Sequence, residues 1–117
     1  MEEGMAMPEL AFEAFLEVDM RVGRILRAAL NAEARKPSYK LWIDFGPLGE
    51  KTSSAQLTQI YPVESLPGRL IVAAVNLGDR RIAGFKSEVL VLGLPDKDGN
   101  VVLLQPEQEV PLGGRVF

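Results

Sequence analysis

Three stretches in the second half of the chain are apolar on both faces: residues 70–75 (LIVAAV), 89–94 (VLVLGL) and 101–104 (VVLL). A strand with one face in water alternates apolar and polar residues, and none of these does. A strand of this kind has to be covered on both sides. Crossover helices normally supply the second cover. The chain offers one clear helical stretch, residues 8–17 (PELAFEAFLE). There Pro8 suits a first turn, Glu9 suits the positive end of the helix dipole, and Phe12, Phe15 and Leu16 share one face. One short helix cannot cover three strands. The pattern therefore predicts a mainly all-β chain curled into a small barrel, whose interior takes one face of each strand. The outer faces must then meet a second copy, or be covered by Phe12, Phe15 and the C-terminal tail (residues 110–117) of the same copy. The homodimer, with the C-terminal third at its interface, is the expected solution.

Further strands are expected over residues 19–30, 39–45 and 50–54. Gly23 interrupts the first, which suggests a bulge or sharp bend. The second alternates, with Leu41, Ile43 and Phe45 on one face. Gly46-Pro47-Leu48-Gly49 is a turn, residues 55–66 hold one or two short helical turns, and residues 96–100 (DKDGN) close a hairpin. With 117 residues, the chain holds one domain. Residues 1–7 are expected to form a flexible tail, since Met1, Met5 and Met7 are all plausible starts, and residues 8–117 to form the domain.

Catalysis is constrained by what is missing. The chain has no cysteine and no histidine, which removes disulfides, thiolate metal sites and the commonest general base. The one Ser–Lys arrangement, Ser53 and Ser54 with Lys40 or Lys51, reads as a solvated turn. The carboxylates are scattered without metal-ligand clustering, and Leu112-Gly113-Gly114-Arg115 is a terminal turn, not a phosphate cradle. The chain is expected to be no enzyme and to need no cofactor. Its first twenty residues carry six acids and no Lys or Arg, unlike a secretory signal. No apolar run approaches the length of a membrane span. A cytoplasmic protein without membrane insertion is expected.

Charge is distributed unevenly. Residues 1–20 sum to −6, residues 21–95 to +5 and residues 96–117 to −2, giving the net −3. An acidic chain is a poor indiscriminate binder of nucleic acid, yet its basic middle leaves room for a local anion-binding surface. Three polar clusters fall between strands, where barrel loops gather. They are residues 35–40 (RKPSYK), residues 51–56 (KTSSAQ), and Asn76 with Arg80, Arg81, Lys86 and Ser87. Arg and Lys donate to phosphates or carboxylates, while Ser, Gln and Asn suit backbone amides or nucleotide edges. Tyr39, Tyr61 or Phe85 could stack on bases or receive apolar side chains. Trp42 is either a surface anchor or part of the dimer seam.

The same stretches carry a resemblance. Residues 19–25 (DMRVGRI) resemble the start of the tRNA-binding-domain family, which includes stand-alone tRNA-binding proteins and the C-terminal module of bacterial methionyl-tRNA synthetase. Residues 34–41 (ARKPSYKL), 43–46 (IDFG), 53–58 (SSAQLT) and 87–93 (SEVLVLG) are similar, more narrowly, to its export-related chaperone branch. The resemblance runs from about Phe12 to Phe117. It implies a five-stranded OB-fold barrel and a homodimer. It also implies a chaperone that binds unfolded or precursor polypeptides and the translocase motor SecA, with structure-specific tRNA binding as the alternative. By position, Lys40, Ser53, Asn76, Arg81 and Ser87 match the family's ligand face. Lys36, Tyr39, Ser54, Gln56 and Arg80 join the candidate site on physical grounds. Relative to RNA-binding members, Ala83 replaces an arginine and Asp79 adds a negative charge. Both changes weaken a phosphate surface and favour polypeptide binding. A third possibility is an assembly domain that serves a synthetase in trans.

Overall fold

The computed structural model describes residues 7–117. The tail expected over residues 1–7 therefore lies, apart from exposed Met7, outside the described residues.

Strand β2 (Tyr39–Asp44) sets the pattern for the barrel. Its residues alternate, so Tyr39, Leu41 and Ile43 are buried while Lys40, Trp42 and Asp44 lie on the outer side. It pairs antiparallel with β1 (Met20–Leu30) and β3 (Glu50–Ala55). Strand β4 (Leu70–Ala74) pairs with the first part of β1, and β7 (Leu90–Val91) pairs with β4. The resulting five-stranded sheet has the order β3-β2-β1-β4-β7. Five is an odd number, so alternating direction leaves the two edge strands, β3 and β7, running the same way. They meet through a few bonds in place of a full ladder. The Thr52 carbonyl accepts from the Glu88 and Val89 N–H groups at 2.8 and 3.2 Å, and the Ser53 hydroxyl donates to the Val89 carbonyl at 2.9 Å. The mainly all-β, five-stranded OB-fold barrel expected from the sequence is the fold observed.

Inside, Ile25, Leu41, Ile43, Phe45, Leu66 and Ile71 are essentially inaccessible to water. Strand β1 bends to serve both sides of the barrel. Residues Met20 to Arg24 face β4 and Arg24 to Leu30 face β2, with the register slipping between Ile25 and Arg27. The bulge is therefore at Leu26 and not at Gly23, which pairs regularly with Ile71. Gly23 is needed for a different reason. A Cβ there would lie 2.6 Å from Ile43 Cγ2 and 2.8 Å from the Phe45 ring, so the absent side chain lets the strands close over the core.

Two hairpins project from the barrel: β5 (Arg80–Ile82) with β6 (Phe85–Ser87), and β8 (Gly93–Pro95) with β9 (Val101–Leu103). The run at 89–94 is thus split between the barrel and the second hairpin, which turns at Asp96–Asn100 as expected. The helix shortens to α1 (Phe12–Glu17), whose N-terminal Ala11 supplies no side-chain cap. Of the expected helical turns at 55–66, a single 3-10 turn forms at Val63–Ser65.

The outer faces stay open. No residue of α1 is buried, and Phe12 remains 70% exposed. The tail does cover one edge: Gly113 N–H donates to the Val22 carbonyl and Val116 N–H to that of Met20, extending the sheet beside β1. Next to it runs an apolar groove of about 450 Å³ between Val22, Val72, Leu92, Leu104, Val110 and Val116. The chain's own helix does not cover this face.

Candidate functional site

A second, larger groove of about 850 Å³ opens where three pieces of chain converge: the β1–β2 connection, the end of β3 and the β5–β6 hairpin. Buried Asn31 binds two of them together. Its N–H donates to the Ser38 carbonyl at 2.9 Å, and its side-chain amide donates to the Ile82 carbonyl at 3.1 Å. Ser87 Oγ accepts from the Ser54 N–H at 2.9 Å, fixing the hairpin to β3. Thr52 Oγ1 donates to the Lys86 carbonyl at 2.7 Å. On the outer side of β2, Trp42 packs edge-on against Phe85 with ring centres 5.5 Å apart. Arg27 covers the indole at 3.7 Å. The hairpin is thus held at both its strands and its turn.

Six of the ten residues singled out from the sequence line this groove: Lys36, Ser54, Gln56, Arg80, Arg81 and Ser87. The other four do not. Ser53 is fully buried, its hydroxyl spent on the Val89 carbonyl, so it closes the barrel and meets no ligand. That also removes it from any Ser–Lys pair. Tyr39 is in the core, its hydroxyl donating to the Tyr61 carbonyl at 2.8 Å, and it offers no stacking face. Asn76 fastens α1 to the sheet: its Oδ1 accepts from the Asp19 N–H at 2.9 Å and its amide donates to the Glu17 carbonyl at 2.8 Å. Lys40 stands on the outer side of β2, its ammonium 5.6 Å from the Phe85 ring centre, and supports the hairpin from below. In each case residue type matched a ligand-binding role, while strand parity or a local hydrogen bond assigned the side chain elsewhere. Asn31, Leu77 and Leu90 went unnamed in the sequence. An Asn directly after a long strand is a turn-capping signal that could have marked the first.

The groove is electropositive. Among the described residues, Arg35, Lys36, Arg80 and Arg81 line it against the single carboxylate of Glu33. None of these four cations is in an ion pair among the described residues, whereas neighbouring Lys86 is held by Asp79 at 3.4 Å. Between the charges lie Leu77 and Leu90, 57% and 53% exposed. Among the described residues no aromatic ring lines the groove. Ser38, also on its wall, is buried, and among the described residues its hydroxyl has no hydrogen-bond partner.

Away from the groove, Asp19 joins both ends of the described chain. It accepts from Arg21 Nε at 2.6 Å and lies 3.5 Å from Arg115. The Arg21 hydrogen bond, against a smaller cost of burial, holds its carboxyl below the usual carboxylate range. Among the described residues no helix is long and apolar enough to cross a membrane.

A nearly closed OB barrel with a cationic loop groove defines a binding module, and the sequence places it in a family. The family described as "Putative tRNA binding domain" matches residues 20–115, and the chain belongs to it. Within that family, two solved structures of chaperone CsaA are similar over nearly the whole length. That from Bacillus anthracis str. Ames is 47% identical with a TM-score of 0.85, covering 94% of this chain and all of that one. That from Picrophilus torridus is 43% identical with a TM-score of 0.86, covering 93% and 100%. Among full-length relatives, the methionine–tRNA ligase of Archaeoglobus fulgidus is 37% identical over 108 residues, which is 92% of this chain and 16% of that protein. The chain thus spans a small part of the ligases it matches.

Proposed function

We propose that the protein is a non-catalytic, homodimeric chaperone of the export type that holds unfolded or precursor polypeptides in the cationic loop groove. The observation that carries this reading is the groove's composition. Exposed Leu77 and Leu90 stand among unpaired cations and hydrogen-bonding Ser54, Gln56 and Ser87. Apolar side chains of an extended segment would rest on the leucines, and its amides and charges would meet the polar rim. Among the described residues no aromatic ring lines the groove, which counts against a grip on single-stranded nucleic acid by stacking. The likeness to the two CsaA chaperones supports it further. Two copies would cover each other's open apolar face. SecA is a proposed partner through the same likeness, and the cytoplasm the proposed location.

The test is aggregation of several chemically unfolded client proteins on dilution, with one dimer per client. Aggregation should be suppressed, and an Arg80→Ala, Arg81→Ala double variant should protect less well. No protection for any client removes the reading.

Structure-specific tRNA binding is the second reading, favoured by the same four cations. It predicts affinity that falls steeply with salt as each phosphate contact releases a counterion. Binding that is absent at 50 mM salt, or indifferent to salt, rules it out.

A further inference from the structure

We infer that the groove selects polypeptide segments in which acidic and aliphatic residues alternate closely. This rests on the polypeptide-binding reading and adds a preference to it. Two observations carry it. The first is charge: in a chain of net charge −3, Arg35, Lys36, Arg80 and Arg81 converge on one groove with, among the described residues, Glu33 alone against them. Unpaired cations concentrated in a concavity raise the local concentration of anions and repel cationic segments. Guanidinium forks suit carboxylates in particular. The second is the pair of exposed leucines inside that charged rim. A phosphate backbone gains nothing from them, whereas a leucine or valine beside a glutamate buries apolar surface there.

The experiment measures fluorescence anisotropy of three labelled ten-residue peptides with the same leucines, carrying Glu, Gln or Lys at the intervening positions. A fourth peptide keeps the Glu residues and has Ser for Leu. All are titrated with the full chain at 150 mM salt. Charge-assisted hydrogen bonds predict that the Glu/Leu peptide binds about tenfold tighter than the Gln/Leu peptide, with Lys/Leu weakest. An Arg35→Glu, Arg80→Glu variant should reverse that order. Neither side chain makes an ion pair or hydrogen bond among the described residues, so folding is not at risk. Equal binding of the three leucine peptides overturns the preference and leaves the groove a general client site. Binding of the Glu/Ser peptide as tight as Glu/Leu overturns it in favour of polyanion binding, and displacement by tRNA would then identify RNA. If no peptide binds, the polypeptide-binding reading falls with it.

Discussion

Two single residues show how little room the barrel leaves. Gly23 sits on β1 with conformationally ordinary backbone, and its need for glycine is purely one of space. In Gly23→Ala the new methyl group would press on Ile43 and the Phe45 ring, both fully buried. Overpacking of this kind costs about 2 kcal/mol, and the urea midpoint of unfolding should fall accordingly. Asp19 acts through charge. Its carboxyl titrates below its ordinary value in the folded chain, chiefly because Arg21 donates to it, with Arg115 adding attraction. A group depressed in this way stabilises the fold above its unfolded value of about 3.9 and loses that stabilisation as pH falls through the folded value. Thermal stability should therefore decline below about pH 4. In Asp19→Asn it should already be lower at neutral pH by about 1 kcal/mol and should decline less steeply in acid. Asp96, depressed by the backbone amides of Asn100 and Asp98, keeps part of the slope. A pH series of melting curves for both proteins checks the difference.

At the scale of elements, the β5–β6 hairpin makes the site. It turns through Ala83 and Gly84, both with positive φ, 49° and 82°. That turn matches the right-handed twist of the strands and favours Asn-Gly. Alanine tolerates it at a cost of about 1 kcal/mol. Ala83→Asn should then raise stability by about 0.5 kcal/mol and slow amide exchange within the hairpin. Faster exchange would contradict this. The hairpin was not legible beforehand, because Ile82-Ala83-Gly84-Phe85 lacks the usual Asn or Asp and its strands are only three residues each. Parts of the three polar clusters meet around one groove because loops between barrel strands gather at one end. The sequence could not tell Ser53 from Ser54, because which of two adjacent strand residues faces inward depends on register. Ser53 lies opposite buried Leu41 and Ser54 opposite Lys40.

The whole molecule is governed by its surplus of apolar surface. The barrel strands were readable from their two-sided apolar runs, since covering both faces leaves few architectures for a chain with one short helix. The place of α1 was not readable, because an amphipathic stripe says that a face seeks cover without saying whose. In this structure neither α1 nor the groove beside β1 is covered. Two copies meeting there would bury both, and sedimentation at micromolar concentration should give a species of twice 12.8 kDa. A 12.8 kDa species would remove the dimer. One contact described above also makes the molecule its own instrument. Trp42 is the chain's sole tryptophan, and it touches the Phe85 end of the hairpin that bears Arg80 and Arg81. Any occupant that shifts that hairpin alters the surroundings of one indole, so tryptophan emission from the unlabelled protein registers loading of the groove with no second indole in the chain to blur it.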